Sequence, residues 1–255
     1  MLKLFSRKRA QPAVPLTASI GEHRRVYAIG DIHGRLDLFD ELLARITADD
    51  AARAPLDSQI ILLGDLVDRG PESAGVVARA LAMAQAGSPV RFLKGNHEEV
   101  FVRAASGDEG ATRFLVRIGG KETVLSYGLS RADYDAMDFD ALTDWLLNHI
   151  PREHVDFLAG FEDMIELGDY LFVHAGIRPD VPLDAQKPSD LRWIRDEFLS
   201  CARDHGKLVV HGHTITEQVE EYPNRIGIDT GAFASDRLTA IGLEGEERWY
   251  LSTLD

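Results

Sequence analysis

The 255-residue sequence contains one cysteine, Cys201. That excludes an intramolecular disulfide and any thiolate-based zinc site. With no nucleophilic neighbourhood around it, Cys201 reads as a small buried or half-buried helix residue. Long hydrophobic runs are absent too: the longest are strand-sized, such as Ile60 to Leu63, against the roughly 20 apolar residues a spanning helix needs. Cations are in short supply, 28 Lys and Arg against 42 Asp and Glu for a net charge of -14. General binding to a nucleic-acid backbone or an anionic membrane is therefore not expected, and an anionic substrate has to be attracted by local positive charge. The N-terminal stretch carries Lys3, Arg7, Lys8 and Arg9 and no acid, but lacks the apolar core and small-residue cleavage site of a signal peptide. A flexible basic arm over residues 1–22 on a cytoplasmic protein without a transmembrane segment is the expectation.

What is present is 45% hydrophobic residues, enough for the core of one large domain. From Arg25 onward a short apolar run, a polar glycine-containing loop and a helix-like stretch recur three times, which predicts an α/β protein. Val26–Ile29 leads to Gly30-Asp31-Ile32-His33-Gly34, Ile60–Leu63 to Gly64-Asp65-Leu66-Val67-Asp68-Arg69-Gly70, and Val90–Leu93 to Gly95-Asn96-His97-Glu98. Residues 107–160 are polar and helical in pattern, with Ser130-x-x-Asp133 as a helix cap, and read as a helical insertion. Further strands end at His174-Ala175-Gly176 and at His211-Gly212-His213-Thr214.

Five apolar strands thus end in loops that hold Asp, His or Asn, and the carboxyl ends of strands are where sites assemble in α/β sheets. Carboxylates mixed with imidazoles suit Mn²⁺, Fe²⁺ or Zn²⁺. Any one Gly-Asp turn or lone histidine has a structural explanation; five in a row point to a metal centre.

In order and spacing these blocks resemble the calcineurin-like metallophosphoesterases, and more closely their phosphoprotein phosphatase branch. The resemblance runs from about Tyr27 to Asp229. It implies a four-layer αββα sandwich of two mixed β-sheets over residues 23–255, with a dinuclear metal site at the strand C-terminal ends. It assigns Asp31 and His33 to one ion, Asp65 to both, and Asn96, His174 and His213 to the other, with Mn²⁺ the expected metal and Fe or Zn the alternatives. Two cations roughly 3.5–4 Å apart can hold a bridging hydroxide for in-line attack on phosphorus. Ile215 stands where the broader superfamily has a further histidine, as in the phosphoprotein phosphatase branch.

By the same resemblance His97 is the general acid and Asp68 the carboxylate that orients it. Arg69, Asn96 and Arg195 bind the substrate phosphate, with Arg192 a competitor to Arg195. The implied activity is that of a metal-dependent phosphomonoesterase acting on phosphoserine or phosphothreonine in proteins. The alternative is a symmetrical diadenosine tetraphosphatase-like hydrolase of dinucleoside polyphosphates or capped RNA. Those enzymes typically carry Ala at the position of Asp68 and Asp at that of Glu98, so the pair Asp68 and Glu98 favours the protein phosphatase side. A catalytically dead binding module would have lost a metal ligand, and none is missing. Oligomeric state is not legible.

Overall fold

Side chains alternate across strand β1 (Arg24–Ile29), and both of its faces are buried. Tyr27 and Ile29 meet Phe39, Leu42 and Ile46 of helix α1 (Leu36–Ala52). Val26 and Ala28 point the other way, into a cluster with Ile61, Tyr170, Phe172 and Val210. A strand apolar on both faces has to be covered twice, by helices on one side and by a second sheet on the other.

The computed structural model describes residues 17–254. The first sheet combines β1, β2 (Asp57–Leu62), β3 (Val90–Phe92), β9 (Thr239–Glu244) and β10 (Glu247–Ser252) in the order β10-β9-β1-β2-β3. β1, β2 and β3 run parallel, whereas β9 is antiparallel to β1 and to β10. The second sheet has the order β4-β5-β6-β8-β7, built from β4 (Met164–Leu167), β5 (Tyr170–Val173), β6 (Leu208–His211), β7 (Glu220–Tyr222) and β8 (Arg225–Gly227). Here β5, β6 and β8 are parallel, with antiparallel strands at both edges.

Helix α1 and α2 (Ser73–Gln85) cover the outer face of the first sheet, and α3 (Asn96–Ala104) leaves its third strand. The insertion folds as α4 (Glu109–Ile118), α5 (Gly120–Ser126), α6 (Arg131–Ala136), α7 (Phe139–His149) and α8 (Arg152–Ala159). It packs onto α3 and α2, and Ser130 caps α6 by accepting the Asp133 N–H. On the far side Leu171 and Val173 of β5 meet Leu191, Ile194 and Phe198 from the segment of α9 (Pro188–Trp193) and α10 (Asp196–Leu199). The layers are therefore α, β, β, α, as the resemblance implies. A last short helix, α11 (Ala232–Ser235), follows β8.

Two local expectations change. Residues 1–16 of the expected arm lie outside the described residues, but residues 17–22 are not an arm. Ala18 and Ile20 are buried, and Ile20 donates its N–H to the Gly245 carbonyl while Ser19 exchanges hydrogen bonds with Asp169. Two apolar side chains facing the inter-sheet core outweigh the ordering cost of a terminal segment. Cys201 is buried as expected, but lies beyond the end of α10 rather than in a helix. Among the described residues no helix is long and apolar enough to cross a membrane.

Candidate active site

Every parallel strand of both sheets ends at one edge of the sandwich. β1 delivers Asp31 and His33, β2 Asp65 and Asp68, β3 Asn96 and His97, β5 His174, and β6 His213, while β8 delivers Asp229. All nine are buried. The turns that bring them there are tight: His33, Asp65, Asp68, Arg69 and His213 have φ between 46° and 73°, a left-handed region that costs a non-glycine residue of order 1–3 kcal/mol. Backbone hydrogen bonds hold that conformation, the Ile32 and His33 N–H groups both donating to the Asp65 carbonyl.

Two glycines leave the room that the carboxylates occupy. A Cβ at Gly95 would sit 2.1 Å from Asp65 Oδ1, and one at Gly212 would sit 2.0 Å from Asp31 Oδ1. These are cradles that any side chain would fill.

The ligand-type atoms of Asp65, His174 and His213 lie within 4.8 Å of one another, and so do those of His33, Asp65 and His97. Asp65 belongs to both groups, as a bridging carboxylate requires. Its Oδ2 is 3.4 Å from His174 Nε2 and 3.6 Å from His33 Nε2. Asn96 Oδ1 lies 3.0 Å from His174 Nε2, on the side of the second group. Asp31 stands further out: its carboxylate accepts the His213 N–H at 3.0 and 3.2 Å and sits against Asp229.

The chemistry of the donors fits cations. His33 Nε2 and His213 Nε2 are buried with no hydrogen-bond partner, an arrangement that costs a few kcal/mol unless something accepts those lone pairs. Burial drives His33 down to about 3 and His213 to about 2, so both are neutral, the ligating form. The other nitrogen of His33 is held by the Val67 carbonyl at 2.7 Å and that of His174 by the Leu63 carbonyl at 2.8 Å, which fixes ring orientation. Burial alone would raise Asp65, but His174 and His97 beside it hold its pKa well below the ordinary value. Burial raises Asp31 well above its ordinary value, reinforced by Asp229.

His97 is differently placed. Its Nδ1 lies 2.7 Å from Asp68 Oδ2, and Arg69 Nη2 lies 3.1 Å from its Nε2. A ring with a carboxylate on one nitrogen and a guanidinium on the other is poorly disposed to accept a second cation, so it is read outside the ligand set. Burial would lower its pKa, but Asp65 and Asp68 outweigh that and raise it, which favours the protonated ring. Asp68 is in turn fixed from the insertion: Thr123 Oγ1 donates to its Oδ1 at 2.6 Å, and the Asp68 N–H donates to Ser73 and Thr123.

Arg69 stacks over Phe233, 4.9 Å from the ring centroid, with its fork beside His97. Arg195 is an exposed N-cap of α10 whose Nη1 lies 3.4 Å from Thr214 Oγ1, next to His213. Arg192 is no longer a competitor, because its guanidinium is committed to Asp163 and Glu99.

Thr123, Ser73 and Phe233 escaped the sequence reading. Ser73 lies only five residues beyond Asp68, whereas Thr123, 55 residues away, left no signal in local spacing. Glu98, expected from the sequence to help hold the third loop as well as to mark the substrate class, does hold it. It is fully buried, and its carboxylate accepts the N–H groups of Asp65, Leu66 and Gly95 at 2.7–2.8 Å. It pins the second loop to the third.

The family model for calcineurin-like phosphoesterases matches residues 24–237. The chain belongs to that family. This phosphoesterase is 38% identical over 197 residues to the symmetrical bis(5'-nucleosyl)-tetraphosphatase of Delftia acidovorans, covering 77% of this chain and 54% of that one. It is 25% identical over 238 residues to the asymmetrical bis(5'-nucleosyl)-tetraphosphatase PrpE of Anoxybacillus flavithermus, covering 84% and 88%. The chain spans about half the length of the symmetrical relatives it matches. A crystal structure of a candidate diadenosine tetraphosphatase superposes with a TM-score of 0.61 at 20% identity, over 94% of this chain and 96% of that one; this likeness speaks to the fold.

The chain carries the calcineurin-like phosphoesterase fold, and its two groups of His and Asp, which share Asp65, could each hold a metal ion. Divalent metal is therefore expected to stabilise it. At a free concentration a hundred times Kd the gain is about 2.7 kcal/mol, which for this length raises the thermal midpoint by about 5–10 °C. Calorimetry with and without Mn²⁺, Fe²⁺ or Zn²⁺ reads this directly, and an unmoved midpoint with all three contradicts the site.

Proposed function

We propose that this phosphoesterase hydrolyses dinucleoside polyphosphates of the bis(5'-nucleosyl) tetraphosphate class, with Mn²⁺ as its working metal. The observation that carries the reading is the 38% identity to a symmetrical bis(5'-nucleosyl)-tetraphosphatase across 77% of the chain. It weighs against the protein phosphatase expectation, which rested on the pair Asp68 and Glu98, of which Glu98 ties two loops together.

Asp31, His33 and Asp65 would hold one ion and Asp65, Asn96, His174 and His213 the other. When bound, the pair supplies charge neutralisation of the phosphoryl oxygens and an activated water. Arg69 binds the phosphate undergoing attack through its planar fork, fixed in aim by the Phe233 ring beneath it. Asn96 adds a neutral polar contact, and Arg195 reaches the same region from the second sheet. His97, protonated and held at Nδ1 by Asp68, presents Nε2 to the leaving oxygen and gives it a proton.

The second reading, a protein Ser/Thr phosphatase, is favoured by that same Asp68–His97 pair. An alkoxide leaving from phosphoserine needs a proton far more than a nucleoside diphosphate does. The deciding measurement is kcat/KM of the Mn²⁺-loaded protein for diadenosine tetraphosphate and for a phosphothreonine peptide under identical conditions. Preference for the dinucleotide is expected; preference for the peptide overturns the proposal.

A further inference from the structure

Phe114 and Arg117 share one face of α4, a turn apart. Phe114 is 38% exposed, unusual for a phenylalanine that has a neighbouring aromatic to pack on. That neighbour is Trp193, the last residue of α9, with ring centroids 5.8 Å apart and planes 40° apart. Trp193 is itself anchored at the site: its Nε1–H donates to Glu99 at 3.2 Å, in the first turn of α3 with Asn96 and His97. The two rings thus bridge the helical insertion and the segment covering the second sheet.

Positive charge follows the same path. Arg195, just past Trp193, reaches Thr214 beside His213. Arg117 stands just before Gly119, whose carbonyl accepts the Arg69 N–H at 2.9 Å. In this acidic chain Arg25, Arg35, Arg53, Arg79 and Arg91 are each paired with carboxylates. Among the described residues Arg69, Arg117 and Arg195 form no ion pair with an acid. Unpaired guanidiniums on the same two segments as an aromatic pair, Phe114 exposed and Trp193 half-buried, match a ligand with several phosphates and a planar ring at its end.

We propose that Phe114 and Trp193 form a stacking platform for one nucleobase of the substrate, with Arg117 and Arg195 holding the phosphates between that base and the metal centre. The proposal rests on the dinucleoside polyphosphate reading and adds where the nucleoside sits. Every base offers a π-face, so the platform selects for a nucleotide over a phosphopeptide without choosing strongly among bases.

The test uses the full chain loaded with Mn²⁺. Phe114→Ala is expected to raise KM for diadenosine tetraphosphate about tenfold more than KM for p-nitrophenyl phosphate, and Phe114→Tyr to restore it. Independently, AMP is expected to quench indole emission in the parent protein and not in Trp193→Phe, whereas inorganic phosphate quenches neither. Equal changes in the two KM values, in a parent that does hydrolyse the dinucleotide, overturn the platform and leave the activity intact. A parent that spares the dinucleotide overturns the activity; the AMP quench then decides the platform, its absence removing that as well.

Discussion

Asp65→Asn is expected to lower kcat/KM by more than about a hundredfold and to lower metal content with it. Removing a partner one step away from a metal typically costs ten- to a hundredfold, and Asp65 stands nearer than that. Its Oδ2 is the atom within reach of His33, His174 and His97, so it is shared by both ligand groups. The substitution would put a neutral amide where the proposal has a negative bridge between two cations. The fold should survive, since an Asn carbonyl can still accept the His97 N–H that Asp65 Oδ1 accepts at 3.0 Å. Metal analysis of the purified variant is expected to find fewer than two ions per chain. Two retained ions with activity lost would remove the bridging role.

His97→Asn is the second large effect, and its size should depend on the leaving group. For an alkyl phosphate kcat is expected to fall by about 10²–10⁴-fold, the usual contribution of a positioned acid. For p-nitrophenyl phosphate, whose leaving group is stable as an anion, the loss should be much smaller. Diadenosine tetraphosphate should side with p-nitrophenyl phosphate, because a departing nucleoside diphosphate is weakly basic. The pH profile adds a sign. An acid must be protonated to act, and His97 has a raised pKa, so alkyl phosphate turnover should decline as pH rises through that value. In His97→Asn this alkaline limb should vanish. Equal losses on all three substrates would mean that His97 serves to position Asp68 or Arg69 instead.

The metal centre was legible because its residues occupy the ends of consecutive apolar runs, a one-dimensional pattern that the parallel topology turns into one edge. Asp31, His33, Asp65, Asn96, His174 and His213 stand out as polar residues at strand ends, and it is the family resemblance that nominates them as ligands. What supports them could not be read that way. Thr123 reaches Asp68 from the insertion, and Phe233 backs Arg69 from the far end of the chain; such contacts depend on tertiary packing and leave no local spacing. The loop-holding role of Glu98 was legible from its place in the third block, but that it reaches back to the Asp65 and Leu66 N–H groups of the second loop was not. Residues 17–22 were read as tail because Ala18 and Ile20 form too short an apolar signal to distinguish from chance.

Five of the eight non-glycine residues with left-handed backbone among the described residues are His33, Asp65, Asp68, Arg69 and His213. Each is a position where the chain's local preference opposes the catalyst's geometry, and where Gly or Asn would relax the turn. A laboratory selection that rewards heat tolerance alone should therefore gather replacements at these sites early. The survivors would keep the sandwich and lose the enzyme, so turnover has to be selected alongside temperature in every round.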